Sequence, residues 1–226
     1  MSRIARDVPA PAEPHRGVPV NASHVLDRTP GSPGYRTSDL HALPVDGPRY
    51  ELIEGSLVVS PPPTGAETAL SQCLANTLEV ANRGSPLVVD RGQPVRIGEH
   101  DEVRPDIVVA HVSMAETTPI PADALMLVVE VVSQSSVLRD TATKRALYGV
   151  AGVPAYWIVL PQRSPVGVAV TELRLNEATG QYIVRTPPTS ARFGTDHPWP
   201  VTVDVPALAE QWSALVLDAG RRGEEA

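Results

Sequence analysis

The stretch "LMLVVEVVS", Leu125 to Ser133, constrains this chain more than any other. Its length and its richness in Val and Leu make it the most hydrophobic strand the chain offers. Near its middle stands Glu130. An ionised carboxylate removed from water is costly unless it is paired, hydrogen-bonded or bound to a metal, so a strand of this kind has to be matched by a partner elsewhere in the chain.

The chain has 226 residues, 42% of them hydrophobic, enough for one good-sized core of ordinary globular composition. No stretch approaches the roughly 20 consecutive apolar residues of a membrane span. The opening "MSRIARDVPAPAEPHRG" lacks the apolar centre of a secretory signal, so a cytoplasmic protein without a membrane partner is expected. The single Cys73 cannot form an internal disulfide, and scattered histidines make a zinc cluster a poor fit; any metal should be held by oxygen. A formal net charge of -7 speaks against coating nucleic acid by bulk electrostatics. It leaves room for a local basic face, for which Arg91, Arg96, Arg104, Arg139, Lys144 and Arg145 are the candidates, against a solvated mixed surface.

Residues 1 to about 34 are rich in Pro, Ala and polar residues without an apolar period, which reads as a disordered or loosely packed arm. In "TSDLHALP", Thr37 or Ser38 offers an N-cap for a short helical turn. "RYELIEGSLVVSPPP" reads as two strands around Glu54-Gly55, Glu54 being a turn residue, closed by a proline run. Residues 64–82 space Ala69, Leu70, Cys73, Leu74, Leu78 and Ala81 at helical intervals, with Gly84 just past the end. "PLVVDRGQPVRI" and "VRPDIVVA" read as strands. After the Glu130 strand, Ser135 or Ser136 can cap a helix running to about Ala151. "AYWIVL", "GVAVTELRL" and "QYIVRT" are strands, the last two joined as a hairpin through "NEATG", and "VPALAEQWSALVLDAG" is a closing helix before a frayed tail. The order predicts an α/β or α+β sheet protein with long helices on the sheet faces. Neither a GxxxxGK[ST] nor a GxGxxG phosphate loop is present.

"RPDIVVA" puts Asp106 at the mouth of one apolar strand and "VVEVVS" puts Glu130 in the next. In neighbouring strands the two carboxylates would meet at one sheet edge, where they resist joint ionisation unless a divalent cation takes up their charge. Oxygen ligands suit Mg²⁺ or Mn²⁺, and such an ion serves phosphodiester hydrolysis by acidifying water and screening phosphate charge. Either acid alone reads as well as a turn residue or a structural ion pair. Asp140, Lys144 and Tyr148, spaced four apart, share one helix face. That face is either a solvated one with an i,i+4 ion pair, or it lies against the Glu130 strand with Lys144 reaching toward the phosphate.

The series "YELIEG", "SPPP", "RPDIVV", "LVVEVVSQSS" and "RDTATKRALYGVAGVPAYWIV" resembles a widespread bacterial family of restriction-endonuclease-like proteins, a branch of the PD-(D/E)xK nuclease superfamily. The resemblance implies a mixed β-sheet flanked by helices, with an N-terminal β-hairpin. The domain would span residues 37–217, between an arm at 1–36 and a tail at 218–226. It implies a metal held by Asp106, Glu130 and the backbone carbonyl of Val131, with catalytic Lys144, and auxiliary roles for Glu51, Glu67, Ser133, Asp140 and Tyr148. The superfamily's usual lysine falls two residues after the second acid, where this chain has Val132, and its role moves to Lys144. Glu67 stands where the family often carries a histidine near the start of the long helix; a carboxylate can hold or orient a metal but cannot act as a neutral imidazole base. The expected protein is an Mg²⁺- or Mn²⁺-dependent endonuclease acting on nucleic acid, with DNA as the expected substrate and a homodimer left open. The alternative is a catalytically inactive nuclease-fold module that binds nucleic acid or a protein partner.

Overall fold

The computed structural model describes residues 24–26, 34–44, 48–133 and 136–224, and all structural statements concern these. In chain order the elements are β1 (His24–Leu26), α1 (Thr37–His41), β2 (Tyr50–Ile53), β3 (Ser56–Val59), α2 (Gly65–Ala81), β4 (Leu87–Arg91), β5 (Val95–Arg96), β6 (Glu102–Val103) and β7 (Ile107–His111). There follow β8 (Ile120–Pro121), β9 (Leu125–Val131), a π-helical turn (Arg139–Thr143) running into α3 (Lys144–Val150), then β10 (Ala155–Arg163), β11 (Val166–Asn176), β12 (Gln181–Thr189), β13 (Phe193–Thr195), β14 (Val201–Val203) and α4 (Val205–Glu224).

The larger sheet has the order β12-β11-β10-β9-β7-β4 and the smaller one β1-β3-β2-β6-β5-β8, with β13-β14 as a separate hairpin. Strand β9, which carries Glu130, runs parallel to β10 and antiparallel to β7. A parallel neighbour in sequence needs a crossover, and α3 supplies it. The alternation of side chains along β9 and β7 then sorts two cores. Leu127, Val129, Ile107 and Val109 face α2 and α4, meeting Leu70, Leu74, Leu78 and Trp212. Val128 and Val108 face the smaller sheet and α3, meeting Ile53, Val58, Tyr148 and Tyr156. Each of the fully buried leucines of α2 is worth about 1.5–3 kcal/mol of transfer free energy. Glu130 has the parity of Val128, and so it lies on the face that looks at the smaller sheet.

The long helix starts and stops where its residues require. The Thr64 side chain accepts from Glu67 N, and Glu67 Oε2 accepts from Thr64 N at 2.7 Å, a reciprocal cap. Gly84 follows the end at φ +86°. The β2–β3 hairpin turns on Glu54 and Gly55, both at positive φ, which matches the turn role expected for Glu54.

Two expectations change. "PLVVDRGQPVRI" and "VRPDIVVA" are not single strands: each begins in one sheet and ends in the other, breaking at Gly92–Pro94 and at Arg104–Asp106, because proline interrupts the ladder. The short helix α1 is capped one residue earlier, with Arg36 N donating to Asp39 Oδ2 at 2.8 Å. Ser135 lies outside the described residues, as does most of the expected arm; within the arm His24–Leu26 pairs with β3. The tail expected from residue 218 is helical through Glu224. Strands β8, β13 and β14 had no signal, since two or three residues are too short to show a period.

Candidate active site

The two places where the chain steps from sheet to sheet lie side by side, with Gly92 N donating to the carbonyl of Asp106 at 3.1 Å, and the acids gather at this junction. Glu51 comes from β2 of the smaller sheet, Asp106 from the link between β6 and β7, and Glu130 from β9. Because Ile107 pairs with Val129, Asp106 falls opposite Glu130 on the same face. Asp106 Oδ2 accepts Val131 N at 2.7 Å, which pins the link to the strand. Glu51 Oε1 accepts Arg104 N at 2.7 Å, and Ser60 Oγ lies 3.3 Å from Glu51 Oε2.

Lys144 answers the question that Glu130 poses. Its Nζ lies 2.8 Å from Glu51 Oε1 and 2.9 Å from Glu130 Oε1, with Asp140 Oδ1 at 3.6 Å. Tyr148 OH donates to the same Glu130 oxygen at 3.0 Å. Lys144, Glu51, Glu130 and Asp140 are each at most 4% exposed. The solvated-face reading of Asp140, Lys144 and Tyr148 is therefore overturned: this helix face is pressed onto the sheet, and the π-helical turn at its start brings Asp140 with it. Tyr156 OH donates to the Asp140 carbonyl at 2.7 Å and secures that turn.

Three carboxylates thus face one ammonium, with Asp106 beside them and Arg139 Nε at 4.0 Å from Glu51 Oε2. Burial raises the Glu130 carboxyl well above its usual range against the pull of Lys144, with Asp140, Asp106 and Glu51 adding repulsion. Burial likewise lifts Asp106 to about 6 and raises Asp140. Glu51 moves the other way: burial raises it, but Lys144 and the Arg104 amide together hold it low. Burial would lower Lys144, yet Glu130, Glu51 and Asp140 carry it well above the usual lysine range.

The donor set suits a hard divalent cation. It is all oxygen, and it holds more acid than its cations neutralise. Asp106 Oδ1 and Glu130 Oε2 accept no hydrogen bond among the described residues, and both carboxyls border one cavity of about 580 Å³. Among the described residues no three His, Cys, Asp or Glu side chains already form a metal cage, the ammonium of Lys144 bridging two of the acids instead. Two carboxylates with a backbone carbonyl is the sparse kind of set that Mg²⁺ accepts, because that ion keeps several of its waters.

Ser133 and Glu67 also line the cavity. Ser133 N donates to Ser136 Oγ at 3.0 Å. Glu67 is engaged in the α2 cap, its Oε2 taking both the amide and the hydroxyl of Thr64. Of the basic candidates, Arg104, Arg139 and Lys144 reach the cavity; Arg91 turns to Ser71 and Gln72, Arg96 to Glu102, and Arg145 to the Tyr182 carbonyl. Arg49 and Arg163 line it too and were not foreseen. Arg49 stands two residues before Glu51, the same-side spacing of a strand, which is the signal that could have found it.

A mixed sheet with α2 and α4 on one face, a second sheet and α3 on the other, and acids at the strand junction is an α/β architecture of the restriction-endonuclease-like class. It is similar to a crystal structure from Anabaena variabilis described as "a putative nuclease belonging to DUF820", with a TM-score of 0.60 and 17% sequence identity, covering 78% of this chain and 98% of that one. The Uma2 family model, described as "Putative restriction endonuclease", matches residues 37–191, and the chain belongs to this family. No curated protein matches it. Among the described residues no helix is long and apolar enough to cross a membrane.

Proposed function

We propose that this protein is a divalent-metal-dependent endonuclease that hydrolyses phosphodiester bonds of DNA. One observation carries the reading: three buried carboxylates around a single lysine, with Asp106 beside them, line a cavity whose lining includes four arginines. Excess acid below and base above is the complement of a cation bound to a phosphate.

In this reading Asp106, Glu130 and the carbonyl of Val131 would hold Mg²⁺ or Mn²⁺, which when bound supplies an acidified water and a countercharge for the phosphate. Tyr148 and Lys144 fix the orientation of Glu130, while the Val131 amide fixes Asp106. Glu51, held by the Arg104 amide, positions Lys144. Two of the three Lys144 N–H groups have short acceptors, and the third faces Asp140 at 3.6 Å, a distance at which a phosphate oxygen competes well. Asp140 and Ser133 shape the wall around it.

The test is incubation of supercoiled plasmid with purified protein and Mn²⁺, beside a Glu130→Ala control. Nicking or linearisation by the wild type and not by the control supports the reading. A wild type that cuts neither DNA nor RNA would overturn it in favour of a binding module.

A further inference from the structure

Three arginines of the cavity lining, Arg49, Arg104 and Arg163, are exposed and have no carboxylate partner among the described residues. Arg36, Arg96, Arg174 and Arg192 each pair with an acid, whereas Arg83 and Arg185 are exposed without one among the described residues but lie outside this cavity, so what sets the three apart is their convergence on one cavity. The three come from opposite sides. Arg49 and Arg104 flank β2 and β6 of the smaller sheet, and Arg163 ends β10 of the larger one. Arg163 is pre-positioned, its guanidinium stacked 5.5 Å from the ring centroid of Trp212, whose Nε1 donates to the Gln162 carbonyl at 2.8 Å. Charged side chains without a counter-ion, beside a floor of carboxylates that repels any free anion, point to a ligand whose negative charges extend past the floor on both sides.

The lining narrows the class of that ligand. Among the described residues it contains no aromatic side chain. All nine Phe, Trp and Tyr of the chain fall among the described residues, so none outside them can complete a stacking platform. Single strands are held largely by stacking on aromatic rings. Phosphates need only guanidinium groups.

We infer that Arg49, Arg104 and Arg163 form a two-sided clamp on the phosphates flanking the scissile one, binding duplex DNA by its backbone. This rests on the nucleic-acid reading of the site, but it concerns binding and is separable from cleavage. The experiment measures the dissociation constant for two unrelated duplexes and for one single strand, with Ca²⁺ replacing Mn²⁺, as salt is varied. Arg49→Gln, Arg104→Gln and Arg163→Gln are compared with Arg83→Gln, an exposed arginine outside the cavity. Each clamp variant should lower the slope of log Kd against log salt by about 0.9, equally for both duplexes, with Arg83→Gln unchanged. Unchanged slopes in the clamp variants, losses confined to one sequence, or tighter binding of the single strand would overturn the clamp. Parallel cleavage assays in Mn²⁺ separate the two ideas. Binding that depends on these arginines without any cutting keeps the clamp and removes the nuclease, whereas cutting with unchanged slopes does the reverse.

Discussion

At the residue scale the site is governed by one charge. Removing the ammonium of Lys144 leaves Glu51, Glu130 and Asp140 buried without their main partner, and breaking a buried pair from one side typically costs about 3–5 kcal/mol. Lys144→Met should show that loss in denaturant unfolding at neutral pH. The loss should shrink on acidification, because protonated carboxylates no longer need the ammonium. Arg145→Met, which gives up one charge-assisted bond to a backbone carbonyl, should lose less, about 1.5–3 kcal/mol at most. In cleavage assays at matched metal and salt, Lys144→Met should fall by about 10²- to 10³-fold, the typical cost of one electrostatic stabiliser. Asp106 makes a second prediction. Its carboxyl sits at about 6 in the folded protein, above its unfolded value, so folding favours the protonated form. The stability it contributes is present below pH 4 and is lost as pH rises through 6, roughly 3 kcal/mol for a shift of about two units. Glu51 acts in the opposite direction at lower pH, its carboxyl being held low. In EDTA, Asp106→Asn should therefore flatten the unfolding curve between pH 4 and 6; an unchanged profile would assign that titration elsewhere.

At the element scale, α3 decides whether Lys144 reaches the acids at all. It packs tightly on β12 through Gly149: a Cβ there would lie 2.6 Å from the carbonyl oxygen of Gly180, closer than packed atoms allow. Gly149→Ala should push the helix off the sheet and cost about 1–3 kcal/mol, as overpacking does. The displaced Lys144 should also slow cleavage although Gly149 touches no substrate, and retained activity at reduced stability would mean that the helix end moves without its start. The hairpin β2–β3 has a similar positioning part, since its turn sets the register that points Glu51 inward.

For the whole molecule, the acids come from two sheets, so whatever neutralises them also joins the sheets. A cation that binds only the folded state stabilises it by mass action, about 2.7 kcal/mol at one hundred times its Kd. Mn²⁺ should raise the melting temperature of the wild type clearly and that of Glu130→Gln much less. Equal shifts in the two proteins would make Glu130 a structural residue only.

What the sequence determined by itself was local. The helix 65–81 is legible from its apolar period and the Gly84 stop, the hairpins from Glu54-Gly55 and "NEATG", and the buried acid from its apolar neighbours. The resemblance pointed to Asp106, Glu130 and Lys144. Whether Lys144 lay on a solvated or a buried face was not legible, because helical spacing says which residues share a face and not what that face meets. Nor could periodicity show that two apparent strands each divide between two sheets, or that Arg49, Arg104 and Arg163 share a rim with residues far away in sequence. Those facts arise only when the sheets pack. The partner of Glu130 lies fourteen residues away along the chain and Glu51 much farther, and only the tertiary structure, by excluding water from the space between them, decided that one lysine would hold both.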